Sequence, residues 1–141
     1  MIRLLTIMDY EEIYHLWLRT PGMGLNSLDD SREGIKKFLE KNPATSFVAV
    51  EDAHIVGVIL SGHDGRRGYL YHACVEEAYR RRCIGKELLG HVTEAMKAEK
   101  ISKLSLVCFK DNAPGNSFWD REGWKLRRDL NFYDIVIIPQ S

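Results

Sequence analysis

The chain has 141 residues and a mass of 16.3 kDa, which fits one compact domain and leaves two independent cores cramped. Its 20 Lys and Arg balance 20 Asp and Glu, and this zero net charge argues against a dedicated nucleic-acid binder, which is usually basic. With 45% hydrophobic and 28% charged residues it has the composition of a folded protein, and no apolar run approaches the roughly 18 residues that span a bilayer.

The first fourteen residues, MIRLLTIMDYEEIY, meet acids too soon for a secretory signal. Three cysteines, Cys74, Cys83 and Cys108, form no disulfide framework, and free thiols point to a reducing cytoplasm. The five histidines are scattered and no CxxC or HExxH spacing occurs, so no metal site is expected.

In chain order, Ile2–Leu5 reads as a short strand. Thr6 and Asp9 make a T-x-x-D cap for a helix carrying Tyr10, Ile13 and Trp17 at helical spacing to about Arg19. Thr20 to Gly24 breaks it. Asp30 or Ser31 caps a second helix with Ile35, Phe38 and Leu39 on its apolar face, and Asn42-Pro43 ends it. The period then shortens. Phe47–Val50, Ile55–Leu60 and Tyr69–Val75 read as strands joined by short turns, hence antiparallel, with Gly57 marking a bulge. After the charged loop Glu76–Cys83, the residues Ile84, Leu88, Leu89, Val92 and Met96 repeat at helical spacing to about Lys100. Leu104–Phe109 reads as a strand, and Asn112–Glu122 as a helix with Pro114 in its first turn and Gly123 as its C-terminal cap. Trp124–Arg128 and Phe132–Ile138 read as the last strands. The order is β-α-α-β-β-β-α-β-α-β-β, with no repeat or linker.

The stretch from Val75 to Lys86, VEEAYRRRCIGK, joins a strand to a long helix. Backbone N–H groups at such a junction lack partners and carry partial positive charge. Arginines and a lysine around it make an anion site suited to phosphates, although a run of three arginines is also read as a solvated basic turn. Neither a Walker loop nor a dinucleotide fingerprint fits: Gly85-Lys86 is followed by Glu87, and no G-x-G-x-x-G is present.

The segment Arg80-Arg81-Arg82-Cys83-Ile84-Gly85 resembles the [Q/R]-x-x-G-x-[G/A] loop of the GNAT acyl-CoA-dependent N-acetyltransferases, with Cys83 in place of the middle glycine. A second pattern is similar to that family's Asn, small residue, Tyr and Gly-Phe series: here Asn112, Gly115, Trp119 and Gly123-Trp124. The element order also agrees over nearly the whole chain. The resemblance implies a single GNAT domain over 1–141, an α/β (α+β) fold with a mixed, mostly antiparallel sheet of about seven strands and about four helices.

It also implies roles. Backbone groups of Arg80, Arg81, Arg82, Cys83, Ile84, Gly85 and Lys86 would cradle the CoA pyrophosphate. Ala73, Cys74 and Val75 would pair with the pantetheine arm like an added strand, beside an opening in the sheet where thioester and amine meet. An N–H near Val75 would polarise the thioester carbonyl. Asn112 would help hold the cofactor or the helix that follows it, and Trp119 would lie at the cofactor. Acetyl-CoA is the implied co-substrate, with no metal, and the reaction is direct attack by a neutral primary amine in a ternary complex.

The amine must first lose a proton. Candidates for proton transfer are His72 and Tyr71 on the central strand, with Tyr133 near the C-terminus; His63 is a weaker one. Strict alternation puts Tyr69 and Tyr71 on one face and His72 on the other, barring a bulge. All three also suit ordinary half-buried sheet positions. Trp119 stands where the family has the tyrosine that protonates the leaving thiolate. An indole cannot be that acid, so Tyr133, Ser117 or water is left for the task. Cys83 reads either as a tolerated replacement or as a reactive thiol at a helix start.

The acceptor pocket is expected from the first two helices and the loop Pro21–Asn26, with Asp29, Asp30 and Glu33 either drawing in a cationic amine or capping a helix. Expected partners are a small-molecule amine or an exposed protein amine, with no nucleic acid and no membrane, in a monomer or homodimer located in the cytoplasm. The competing function is a non-catalytic acyl-CoA-binding sensor or interaction module on the same fold.

Overall fold

The structure, a computed structural model, describes residues 1–139. The chain divides into two units, Met1–Val107 and Cys108–Ser141, and each is taken by itself.

In the first unit β1 (Ile2–Leu4) leads through a short 3-10 turn (Ile7–Asp9) into α1 (Tyr10–Leu18). The predicted T-x-x-D cap is present: the Asp9 carboxylate accepts the Thr6 N–H at 3.0 Å. Asp9 also takes both guanidinium arms of Arg3 at 2.9 Å, which ties β1 to the start of α1. Of the two candidate caps for α2 (Arg32–Lys41), Ser31 is used, its Oγ accepting the Gly34 N–H at 3.0 Å. Then follow β2 (Phe47–Glu51), β3 (His54–His63), β4 (Gly68–Val75), a 3-10 turn (Glu77–Tyr79), α3 (Ile84–Ala98) and β5 (Leu104–Ser105).

The five strands form one sheet in the order β1-β2-β3-β4-β5. The first four pair antiparallel and β5 joins β4 in parallel. Helices cover both faces. On one, Ile13, Leu16, Trp17, Ile35 and Leu39 of α1 and α2 pack with Val58, Leu60 and Cys74 of the sheet. On the other lies α3, whose predicted apolar stripe Ile84, Leu88, Leu89, Val92 and Met96 is buried throughout. Gly57 makes this contact close: a Cβ there would stand 3.1 Å from Leu88 Cδ1 and 3.2 Å from Ile84 Cγ2. The bulge expected beside it is present, with the register shifting opposite Ala49 and Val50 so that Val56 has no register partner on β2.

In the second unit α4 (Ala113–Arg121) is capped by Asn112, whose Oδ1 accepts the Gly115 N–H at 3.0 Å. Gly123 ends the helix at φ 88°, as its C-terminal position predicts.

The class of fold is as expected, but among the described residues the sheet has five strands rather than about seven. Leu104–Phe109 contributes only a two-residue ladder, Leu104–Ser105. Trp124–Arg128 and Phe132–Ile138 form no strand. Their β-branched and aromatic side chains carry strand propensity, but a strand exists only through a ladder with a partner. Tyr133 and Ile137 remain 86% and 87% exposed. No helix is long and apolar enough to cross a membrane among the described residues.

Candidate active site

Three local departures from regular structure build the site. The first is where β4 and β5 part. They pair only at Gly68 with Leu104 and at Tyr69 with Ser105. Beyond Tyr69, from Leu70 to Val75, the β5-facing edge of β4 pairs with no strand among the described residues. Ala73, Cys74 and Val75 lie on this stretch, where an extended chain can pair with their backbone. The Cys74 side chain turns into the core against α1 and α2, and burial pushes its thiol up to about 11, offset in part by a hydrogen bond from Thr20.

The second is the turn from β4 into α3. Arg81 and Cys83 both hold left-handed backbone, at φ 67° and 61°, and Cys83 is the residue before the helix. Cys83 thus holds, with a side chain, a conformation that favours glycine. The first intrahelical bond runs from Glu87 N–H to Cys83 O at 3.0 Å, so the N–H groups of Ile84, Gly85 and Lys86 precede the helical ladder at its positive end. Arg80 is turned back, its Nε donating to the Val75 carbonyl at 3.1 Å. The Arg82 guanidinium lies over the Tyr79 ring at 5.0 Å. Glu76 pairs at 2.5 Å with Arg19, the residue that caps the C-terminus of α1, and its N–H bonds Val56 O at 2.7 Å. The loop is therefore held at both ends, with the exposed Arg81, Arg82 and Lys86 around its mouth.

The third is a bulge in β4. Leu60 faces His72 and Ser61 faces Leu70, so Tyr71 is the extra residue. This overturns the strict alternation. Tyr69 and Tyr71 touch at 4.8 Å between ring centres, and Tyr71 meets Phe38 of α2 at 5.3 Å. His72 meets Trp17 of α1 at 4.9 Å and bonds Asp30 at 2.8 Å. All three side chains stand on the face covered by α1 and α2. The hydroxyls of both tyrosines are shifted up, Tyr69 by burial and then Tyr71, and Tyr71 by burial and then the carboxylates of Asp29 and Asp64. Neither tyrosine is a base at neutral pH.

A cleft of about 460 Å³ opens beside them, walled by Phe38, Asn42, His63, Asp64, Tyr69 and Tyr71. The end of α2 and the β3–β4 turn supply this wall. The expected loop Pro21–Asn26 does not line it; its Met23 and Leu25 pack on the core instead. His63 is engaged on both ring nitrogens, by Glu99 at 2.9 Å and by Gly65 N–H at 2.9 Å. Asp30 is buried and bound to His72. Sequence reasoning missed that partnership. The signal was the Asp30-Ser31 pair before α2, where only one of the two can be the cap.

The other anticipated residues lie in the second unit. Asn112 serves as the α4 cap and its neighbour Gly115 is there because a Cβ would stand 2.5 Å from Asn112 Nδ2. The Trp119 ring is wedged between Phe118 and Trp124 at 4.9 and 5.1 Å. Tyr133 is on the exposed final segment. No group of His, Cys, Asp and Glu able to hold a metal occurs among the described residues.

The sequence profile of the Acetyltransferase (GNAT) family matches residues 10–124. The chain belongs to the GNAT acetyltransferase family. An acetyltransferase of Yersinia pestis (strain Pestoides F) is 30% identical over 140 residues, covering 99% of this chain and 98% of that one. An acetyltransferase of Sodalis glossinidius is 29% identical over 119 residues, 84% of this chain and 82% of its own. Among solved structures, the PaiA N-acetyltransferase of Thermoplasma acidophilum, in complex with coenzyme A, shares the fold with a TM-score of 0.77 at 22% identity, covering 90% of each chain. This GNAT protein is accordingly an enzyme of the N-acetyltransferase class, and the loop and the opened sheet above lie within the matched span.

Proposed function

We propose that the protein transfers an acetyl group from acetyl-CoA to a primary amine by direct attack in a ternary complex. The observation that carries this reading is the free β4 edge running directly into a turn with two left-handed residues at the start of a 15-residue helix. A pyrophosphate fits that turn through the N–H groups of Arg81, Arg82, Cys83, Ile84, Gly85 and Lys86. A pantetheine arm fits the backbone of Ala73, Cys74 and Val75. The co-substrate supplies the activated acyl group, and its thioester carbonyl is polarised by an N–H near Val75. A single domain over 1–141 is part of this reading, supported by the family match spanning 10–124, and the family resemblance gives Asn112 and Trp119 a role towards the cofactor.

His72 takes the amine proton. Of the three proton-transfer candidates it alone combines an imidazole with a position beside the opened edge. Tyr71 lines the acceptor cleft, and Tyr133 remains the candidate acid for the departing thiolate. The cleft suits a small amine or the exposed amine of a larger molecule, and the balanced charge suits neither nucleic acid nor a membrane as partner. We place the protein in the cytoplasm, as a monomer or homodimer.

Trp119 favours a second reading, an acyl-CoA-binding sensor, because it removes the family's acid. Two measurements decide. Acetyl-CoA raises Tm in a thermal-shift assay, and free thiol appears when a panel of amines is added. Binding with no thiol release for any amine makes the protein a sensor. No shift at millimolar acetyl-CoA sinks both readings.

A further inference from the structure

Asp30 is buried yet does not cap α2, since Ser31 fills that role. A buried carboxylate is costly unless paired. Its Oδ1 lies 2.8 Å from His72 Nε2, with the two side chains 7% and 11% exposed. Its Oδ2 accepts the Asn26 N–H at 2.7 Å. Its main chain is fixed as well: the carbonyl accepts the Tyr10 hydroxyl at 2.6 Å and the N–H bonds Asn26 O at 2.9 Å. The Trp17 ring closes one side of the imidazole edge-on. Every degree of freedom of this carboxylate is spent on holding it against one ring.

A carboxylate oxygen only accepts, so the proton between the two groups sits on Nε2 and the lone pair on Nδ1. We infer that Asp30 is a positioning residue that holds His72 in the tautomer whose Nδ1 receives the proton of the acceptor amine. This rests on His72 acting as the base. In the step, the amine nitrogen bonds the acyl carbon and the C–S bond breaks, its electron pair leaving on the CoA sulfur. The surplus N–H proton passes to Nδ1. The imidazolium so formed has its positive charge 2.8 Å from the Asp30 carboxylate, which stabilises it as it appears. The bulge at Tyr71 brings this pair to the same face as Tyr69 and Tyr71, the wall of the acceptor cleft.

The test has two independent arms. Ring ¹⁵N shifts of His72 in the wild-type protein read the tautomer without any turnover. Protonated Nε2 with bare Nδ1, changing to a mixture in Asp30→Asn, supports the inference; protonated Nδ1 in the wild type overturns it, whether or not the variant folds. The kinetic arm uses acetyl-CoA and the best amine of the panel. His72→Ala lowers kcat by about 10²–10⁴-fold. Asp30→Asn lowers kcat by about tenfold or more with the KM for acetyl-CoA unchanged, and the double variant matches His72→Ala within about twofold. A merely structural aspartate would add its loss to that of His72→Ala, and that result also overturns the inference. A wild-type protein that releases no thiol with any amine defeats the acetyl-transfer reading and the base with it, and the ring state then shows a structural pair. Full activity in His72→Ala with an active wild type defeats the base while acetyl transfer stands.

Discussion

Arg80 Nε donates to the Val75 carbonyl at 3.1 Å, so the first arginine of the loop before α3 is bound to the end of β4 instead of reaching outward. The bond closes the loop on the strand that precedes it and sets the direction in which the next residues present their N–H groups. Arg80→Met keeps the aliphatic stem and removes the donor. The expected outcome is a KM for acetyl-CoA raised roughly two- to tenfold with kcat unchanged, the size of one hydrogen bond. Initial rates at varied acetyl-CoA check it, and an unchanged KM removes Arg80 from loop ordering.

Cys83 holds left-handed backbone at φ 61°. That conformation costs an L-residue about 1–2 kcal/mol. Glycine removes the cost but returns about 0.4–1 kcal/mol through the unfolded chain. Cys83→Gly is therefore expected to leave Tm unchanged or slightly higher and to bind acetyl-CoA at least as tightly. Cys83→Val, with a branched Cβ in the same conformation, lowers both. Differential scanning calorimetry with and without acetyl-CoA reads the two effects; a valine variant as stable as wild type would falsify the strain argument.

Cys74 gives a signed pH dependence. Burial raises its thiol from 9.0 to about 11, so the folded state keeps the proton after the unfolded state has released it. The contribution is whole below about pH 9 and is lost as pH climbs towards 11, at up to about 1.4 kcal/mol per pH unit. Cys74→Ala flattens that part of the stability curve measured by denaturant titration. In the native protein at pH 8, iodoacetamide labels the exposed Cys83 and spares Cys74.

The Asp9 carboxyl behaves oppositely. Burial pushes it up, but the hydrogen bond from Arg3 and those from Thr6 outweigh this and hold it below its ordinary value. Its stabilisation is present above about pH 4 and is lost as pH falls through the lowered folded value. Asp9→Asn is expected to cost about 1–3 kcal/mol near neutral pH and to shrink the acid sensitivity of folding, both read from urea midpoints at pH 7 and pH 3.

Trp119 lies between Phe118 and Trp124, in contact through ring edges. Trp119→Tyr introduces a hydroxyl that can protonate a thiolate. It is expected to keep or raise kcat, within the 10²–10⁴-fold that a positioned acid supplies. A large fall in kcat would show that the indole itself serves the reaction.

Much of the fold was legible because its signals are local. The α3 stripe, the Asn112 cap, the T-x-x-D cap and the turn at Gly123 depend on residues a few positions apart, and all are found as read. The turn from β4 into α3 was legible for the same reason. What failed depends on distant partners. The bulge at Tyr71 is set by the register of β3, and strict alternation, which holds only barring a bulge, cannot place His72. Phe132–Ile138 has the composition of a strand, but composition does not supply a ladder. Asp30 reads in the sequence as a helix cap or an acid that draws in a cationic amine, because His72, its partner, stands 42 residues away.

The extra residue in β4 has a consequence for how the acceptor specificity can change. Leu70 and His72 keep consecutive partners, Ser61 and Leu60, on either side of it. Position 71 thus lies outside the pairing that sets the core, while its side chain, 54% exposed, forms part of the cleft wall. Substitution or even deletion there reshapes the wall without moving any neighbour out of register. The protein carries a mutable contact on an otherwise constrained strand, and under the proposed function the wall that receives the acceptor can change there at small cost to folding.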